Sequence, residues 1–307
     1  MYKADIVKKN VSKWQQKNNF QGMCFASIPV LRFAIFGFIP LVFGLLMAFL
    51  PMEYTFDIAD GLAEGFTLDN FKYVLGDSIF WQSIGNTFYL ALAWPISMII
   101  ALLVSILLTK NIKGKPFFRT VYFIPFVCSL VAVTLMWNVI LDYNYGVANN
   151  VIEWISGTRI NWKSDAEWYR FGLICMTVWS TTGYKIIILT AALTSVNKSL
   201  YEAAELDGAN AFQKVTNITL PAISPTIFYL FVTGLIDVLQ EFTRSQVWDK
   251  NGGPNNTGIT MVFYLYREGF SYMNMGTASA VAWILSILIL IITILNFVLS
   301  KKWVKYD

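Results

Sequence analysis

Apolar residues in this chain gather into long runs separated by short polar intervals. Because a helix needs about 20 mostly apolar residues to cross a bilayer, the runs at 25–50, 84–108, 121–141, 168–193, 222–242 and 276–300 predict membrane spans. The expected fold is an all-α polytopic membrane protein with six transmembrane helices. Pro29, Pro40, Pro95 and Pro125 fall inside the runs. Neighbouring helices and waters can satisfy the carbonyls that proline frees in a bundle, so kinks rather than ends are expected at these positions. The first run is too long for the apolar stretch of a cleavable signal peptide and lacks a small-residue cleavage site. It is expected to stay as an anchor.

Lysine and arginine collect in cytoplasmic loops, so their placement predicts orientation. The segment 1–24 carries Lys3, Lys8, Lys9, Lys13 and Lys17, with Arg32 just inside the first run. The interval between the second and third runs holds Lys110, Lys113, Lys115 and Arg119, and the tail holds Lys301, Lys302 and Lys305. The first outer interval has only Lys72 among Glu53, Asp57, Asp60, Glu64, Asp69 and Asp77. Both termini are therefore expected in the cytoplasm, which an even number of spans requires. The organisation expected is a cytoplasmic arm over 1–24 and a single transmembrane domain over 25–307. Tyr73, Phe80 and Trp81, then Trp162 and Trp168, then Trp303 and Tyr306 are placed to anchor the bilayer interfaces.

Composition supports the membrane reading. Of the 307 residues, 56% are hydrophobic and 14% charged, against roughly 45–50% and 25% in average globular chains. Too few charged side chains remain to cover so much apolar surface in water, which excludes a soluble enzyme, a disordered regulator and a small secreted scaffold. Histidine is absent, removing the commonest general base and metal ligand together. Cys24, Cys128 and Cys175 lie in apolar runs and are expected to be small core residues without a disulfide framework.

The interval 194–221 is more organised than a connecting loop needs to be. Ser199 and Glu202 have the S-x-x-E spacing of a capping box at a helix start. Leu200, Ala203, Ala204 and Leu206 give a short apolar face, and Gly208 is placed to stop the helix in a left-handed conformation. A second short helix through Phe212 and Val215 leads to Pro221, expected in the first turn of the fifth span. About two turns of helix are too few to be stable alone in water. The first helix must therefore dock on something, and Ala203 and Ala204 allow close approach.

The string YEAAELDGA followed by ITLPAISP resembles the EAA loop of permease subunits of bacterial ABC importers, in particular the maltose-type carbohydrate branch. Phe80-Trp81 with Asn86-Thr87, the segment RTVYFIP from Arg119 to Pro125, Asn251-Gly252-Gly253-Pro254 with Thr257, and Gly276-x-Ala278-Ser279-Ala280 resemble the same branch. The resemblance runs from about residue 25 to the last. It implies a type I importer permease in the bacterial cytoplasmic membrane, pairing with a second homologous permease subunit. Tyr201, Glu202, Ala203, Ala204, Asp207, Gly208 and Ala209 would couple it to a cytoplasmic ATPase present in two copies. The implied partners also include an extracellular or periplasmic sugar-binding protein and the bilayer, with no nucleic acid. No G-x-x-x-x-G-K-[ST] phosphate loop occurs; the nearest fragment, Gly114-Lys115-Pro116, lacks the second glycine and the hydroxyl. ATP and its magnesium belong on the ATPase, and no cofactor is expected on this chain.

Ionisable groups within spans are costly and tend to mark a pathway. Asp237 and Glu241 stand four residues apart on one face of the fifth span, beside Gln240. Lys185 lies near the middle of the fourth, and pairing with either Asp237 or Glu241 would relieve both charges. Sugars need planar apolar surfaces beside amide or carboxylate groups, for which Trp137, Asn138, Trp179, Tyr184 and Tyr229 are further candidates. Gly234, Asp237 and Val238 stand where the maltose-type pattern has serine, aromatic and amide groups. Several arginines or lysines would be expected to face a phosphorylated cargo such as glycerol phosphate; the spans lack them apart from Lys185 and Arg32. A neutral oligosaccharide is the expected cargo. An ion-coupled secondary transporter would often show inverted repeats, of which none is evident, and an intramembrane enzyme would lack its catalytic groups.

Overall fold

The computed structural model describes residues 2–51, 58–110 and 112–305. Glu53, Asp57 and Tyr306 lie outside them, as do the side chains of residues 2–17 and of Asp60. All regular structure among the described residues is helical. The chain opens with α1 (Tyr2–Phe33) and α2 (Ile39–Ala48), then two short helices, α3 (Ile58–Glu64) and α4 (Asp69–Gly76). Next come α5 (Ser78–Ala91), α6 (Ala93–Thr109), α7 (Lys115–Val127), α8 (Leu130–Ile140), α9 (Val147–Ser156) and α10 (Ala166–Ser195). The interval 194–221 forms α11 (Lys198–Leu206), α12 (Ala211–Lys214) and the start of α13 (Leu220–Ala222). The remainder is α14 (Ser224–Leu239), α15 (Thr243–Trp248), α16 (Met261–Tyr266) and α17 (Met275–Ser300).

Four stretches, Asn18–Ala48, Ser78–Thr109, Ala166–Ser195 and Met275–Ser300, are each long and apolar enough to cross a membrane. Two bent pairs bring the total to six if each is one span. Helices α7 and α8 meet at 101°, and the helical segment Ala211–Ala222 meets α14 at 68°. These breaks are sharper than the kinks expected from proline alone. Pro125 sits just before the first, where Cys128 and Ser129 leave helical geometry. The second falls at Ile223, between Pro221 and Pro225, so the fifth span proper begins at Ser224 and Pro221 belongs to the segment before it. Pro40 acts differently. It follows a π-helical turn, Ala34–Phe38, in which the Ile39 amide donates to the Ala34 carbonyl. Widening one turn accommodates a ring that lacks an N–H and crowds the preceding turn. The π turn Val215–Thr219 stands in the same relation to Pro221.

The core has three centres. Phe80, Tyr264, Val281 and Leu285 join α5, α16 and α17. Trp94, Met98, Ile186, Leu189 and Leu230 join α6, α10 and α14. Leu90, Leu141, Tyr169, Met176 and Trp248 join α5, α10 and α15, with Tyr169 stacked on Trp248 at 4.4 Å. Phe80 and Trp162 are buried in these centres, so they are core residues and not interface anchors; Tyr73, Trp81, Trp168 and Trp303 remain exposed. Cys24 and Cys128 are exposed on apolar surfaces, contrary to the expected core role, and all three cysteines are free. The first span, Asn18–Ala48, leaves almost all of its side chains uncovered by the rest of the chain except near Ala48. On the loop side of the third core, Arg159 donates to Glu153 at 2.7 Å, holding that exposed carboxyl below its ordinary range.

Candidate functional site

Two regions carry the candidate residues. The first is α11 and its end. Asn197, and not Ser199, is the N-cap: its side-chain oxygen accepts from the Ser199 amide at 3.0 Å. Asparagine caps as well as serine, so the helix starts one residue before Ser199 and the expected Ser199–Glu202 box does not form. A true capping box forms instead at Asn210 and Gln213, opening α12. Released from capping, Glu202 is exposed and makes no hydrogen bond among the described residues. At the other end Gly208 has φ +75°. Its amide donates to Glu205 O at 3.1 Å, and the Ala209 amide donates to Ala204 O at 2.9 Å. This pair of bonds is a Schellman stop.

The loop is braced by its own side chains. Lys214 pairs with Glu205 at 2.7 Å, and the Tyr201 and Thr219 hydroxyls lie 3.0 Å apart. Its apolar groups are left open: Leu206 is 91% exposed and Phe212 76%. Ala203 and Asp207 are also exposed, with Ala204 and Ala209 half-buried. The loop thus presents a braced helix with its apolar groups uncovered.

The second region lies between α7, α10 and α14. A polar cavity of about 420 Å³ is lined by Asp237, Gln240 and Glu241 together with Phe126, Thr181 and Arg244. Phe126 stacks on Tyr184 at 4.9 Å, and the Tyr184 hydroxyl is 3.4 Å from that of Tyr229. Trp179 lines a larger apolar groove, of about 670 Å³, with Tyr122 and Gly183. Trp137 packs edge-on against Trp179 at 5.9 Å. The path candidates thus fall into two groups, Tyr184, Tyr229, Asp237, Gln240 and Glu241 at or beside the polar cavity and Trp137 with Trp179 at the apolar groove, while Asn138, half-buried on α8, is tied to neither.

The expected pairing of Lys185 does not occur. Its ammonium is buried and donates to Ser97 Oγ at 2.5 Å and Thr181 Oγ1 at 3.1 Å. Glu241 is taken instead by Arg244, one turn further along, with which it forms a buried ion pair. Arg244 also donates to Ser180 Oγ at 2.8 Å, and its amide donates to Glu241 Oε1 at 2.9 Å. Sequence reasoning missed Arg244 because it lies two residues past the predicted end of the fifth span; the Glu241-x-x-Arg244 spacing was the available signal. Removing one partner of such a pair leaves a buried charge and costs about 3–5 kcal/mol. Arg244→Met is accordingly expected to lower the unfolding midpoint sharply, and the double variant Glu241→Leu, Arg244→Met to recover most of the loss in a thermal-shift assay. A double variant no better than the single would count against the pair.

Motif residues outside the two regions hold the segment 251–260. Asn86 Nδ2 donates to Asn256 O at 2.8 Å and Ile259 O at 2.9 Å, while its Oδ1 accepts from Arg170 at 3.0 Å. Thr87 Oγ1 accepts from the Met261 amide at 3.0 Å. The segment 251–260 is thereby clamped onto α5.

A polytopic helical bundle with an internal polar cavity and an uncovered, braced loop is a membrane permease. Residues 88–305 match the model of the binding-protein-dependent transport system inner membrane component, and the chain belongs to that family. It is similar to the arabinooligosaccharides transport system permease protein AraP of Halalkalibacterium halodurans, at 31% identity over 283 residues covering 91% of this chain and 87% of that one. Its fold is similar to a chain in the crystal structure of a bacterial ABC transporter that imports the acidic polysaccharide alginate, with TM-score 0.76 and 25% identity over 95% of this chain and 99% of that one. A second structure, of an alginate ABC transporter in complex with an alginate pentasaccharide-bound periplasmic protein, matches with TM-score 0.76 over 95% of this chain and 97% of that one. The chain is a multi-pass membrane subunit of a transport system and not an enzyme.

Proposed function

We propose that this chain is the permease subunit of an ATP-driven carbohydrate importer, carrying an oligosaccharide. It forms the path with a second homologous permease subunit and receives cargo from an extracellular or periplasmic sugar-binding protein. Two cytoplasmic ATPase subunits bind the ATP and magnesium. The observation that carries this reading is the braced helix α11, whose Leu206 is 91% exposed on a chain similar to an arabinooligosaccharide permease. Tyr201, Glu202, Ala203, Ala204, Asp207, Gly208 and Ala209 form the ATPase contact, with both termini in the cytoplasm on the same side. Trp137, Asn138, Trp179, Tyr184, Lys185, Tyr229, Asp237, Gln240 and Glu241 belong to the path or its support. A phosphorylated cargo fits less well, because Lys185 and Arg244 are both buried and engaged by protein groups.

The test is affinity purification of the tagged chain in mild detergent, with ATPase retention measured by quantitative mass spectrometry. The wild type is expected to retain an ATPase subunit, and Leu206→Asp to reduce retention about tenfold by placing a charge at the centre of the contact. Equal retention by both would contradict the assignment of α11.

A further inference from the structure

We propose that Asp237 is the residue by which this path rejects anionic glycans. The inference rests on the carbohydrate reading above and adds to it a specificity determinant. Three ionisable groups line the polar cavity, Asp237, Glu241 and Arg244, and Lys185 lies near enough to act on Asp237. All but Asp237 are buried and engaged by protein groups. Arg244 and Glu241 are buried against each other, with Ser180 taking a further donor of the guanidinium. Lys185 is 4% exposed, and its ammonium is directed to Ser97 and Thr181.

Asp237 is the exception. It is exposed, lines the cavity, and has no hydrogen bond or ion pair among the described residues. Lys185 and Arg244 both act on it electrostatically, and neither is hydrogen-bonded to it. The charge that a cargo meets in this cavity is therefore a free carboxylate, beside the exposed amide of Gln240.

A carboxylate only accepts hydrogen bonds. Neighbouring hydroxyls of a neutral sugar can donate to its two oxygens, so the group suits an uncharged glycan. A uronate places a second carboxylate there, with no donor between two like charges in a site of reduced dielectric. The buried ammonium of Lys185 cannot turn to meet it without abandoning Ser97 and Thr181. The fold does not decide the matter, since a transporter of similar fold imports an acidic polysaccharide. Discrimination must then come from individual side chains, and of the charged ones lining the cavity Asp237 is the one that is exposed.

The experiment uses the purified complex of this chain with its partner permease and ATPase, the binding protein omitted so that its own preference does not enter. Affinities are measured by saturation-transfer NMR for trisaccharides that differ at C6, galactotriose against trigalacturonate and mannotriose against trimannuronate. The wild type is expected to bind the neutral member at least about tenfold more tightly. Asp237→Asn is expected to bring the ratio to within about threefold, and Asp237→Glu, which restores the charge, to recover it. The same ratio in wild type and Asp237→Asn would overturn the proposal while leaving the carbohydrate reading intact. Failure of every neutral sugar to bind would contradict the carbohydrate reading, and the proposal with it.

Discussion

Replacing Gly208 with valine is expected to abolish ATP-driven uptake while leaving the chain inserted in the membrane at a near-normal level. Gly208 has φ +75° at the end of α11, and this conformation directs the Ala209 amide back to Ala204 and its own amide to Glu205. A β-branched residue is strained in that conformation by roughly 1–2 kcal/mol. Helix α11 has no buried residue to hold it in place, so losing its stop frays the last turn, where Leu206 and Asp207 lie. The core centres are remote from this turn, which is why insertion survives. Glu202→Arg tests the same surface without touching the backbone, since Glu202 is exposed and makes no hydrogen bond among the described residues. For both variants, uptake into reconstituted vesicles is expected to fall at least about tenfold while ATP hydrolysis by the partner persists. Normal transport by both would remove the coupling role from the loop.

The second large effect falls on the scaffold. A carbon added at Gly183 would overlap the Tyr122 carbonyl oxygen and crowd Phe123 Cα, so α10 crosses α7 with backbone against backbone. Small residues permit such crossings in membranes. Because the opposing atoms are backbone, no side-chain rotamer can yield. Gly183→Leu is expected to separate the two helices, open the apolar groove and abolish accumulation of folded protein. Gly183→Ala is expected to cost about 1–3 kcal/mol, in the range of overpacked cores. Detergent size-exclusion profiles and thermal unfolding check both; a stable, monodisperse Gly183→Leu would show that the helices do not meet there.

The spans were legible because lipid imposes a length and polarity on any helix that crosses it. The run at 168–193 corresponds to α10, and that at 276–300 to α17, each within a few residues. Breaks were harder. Pro125 marks a helix that turns by 101° a few residues later, yet Pro29 lies within continuous helix. Proline frees a carbonyl in either case, and tertiary packing decides what becomes of it. The Gly208 stop was legible because its conformation is a local property of glycine. The cap falls two residues before the expected Ser199, since Asn197 and Ser199 cap comparably and sequence alone does not choose between them.

In the path, same-face spacing brought Asp237 and Glu241 to one cavity. The partners of Lys185 were not visible, because they depend on how α6 and α10 pack. Ser97 reaches Lys185 from 88 residues away, a distance no local pattern encodes. Phe80 and Trp162 were misjudged for a related reason: an aromatic residue near an interface by position is buried whenever a neighbouring helix covers it.

A carbohydrate permease powered by a partner ATPase must take up cargo with ATP as its sole energy source. The most direct measurement is accumulation of a labelled oligosaccharide in vesicles holding the full complex and its binding protein, with ATP supplied to the ATPase side and all ion gradients collapsed. Uptake is expected to require ATP, to persist without any gradient, and to be lost in Gly208→Val. Uptake that follows an imposed ion gradient and ignores ATP would contradict the ATP-driven assignment.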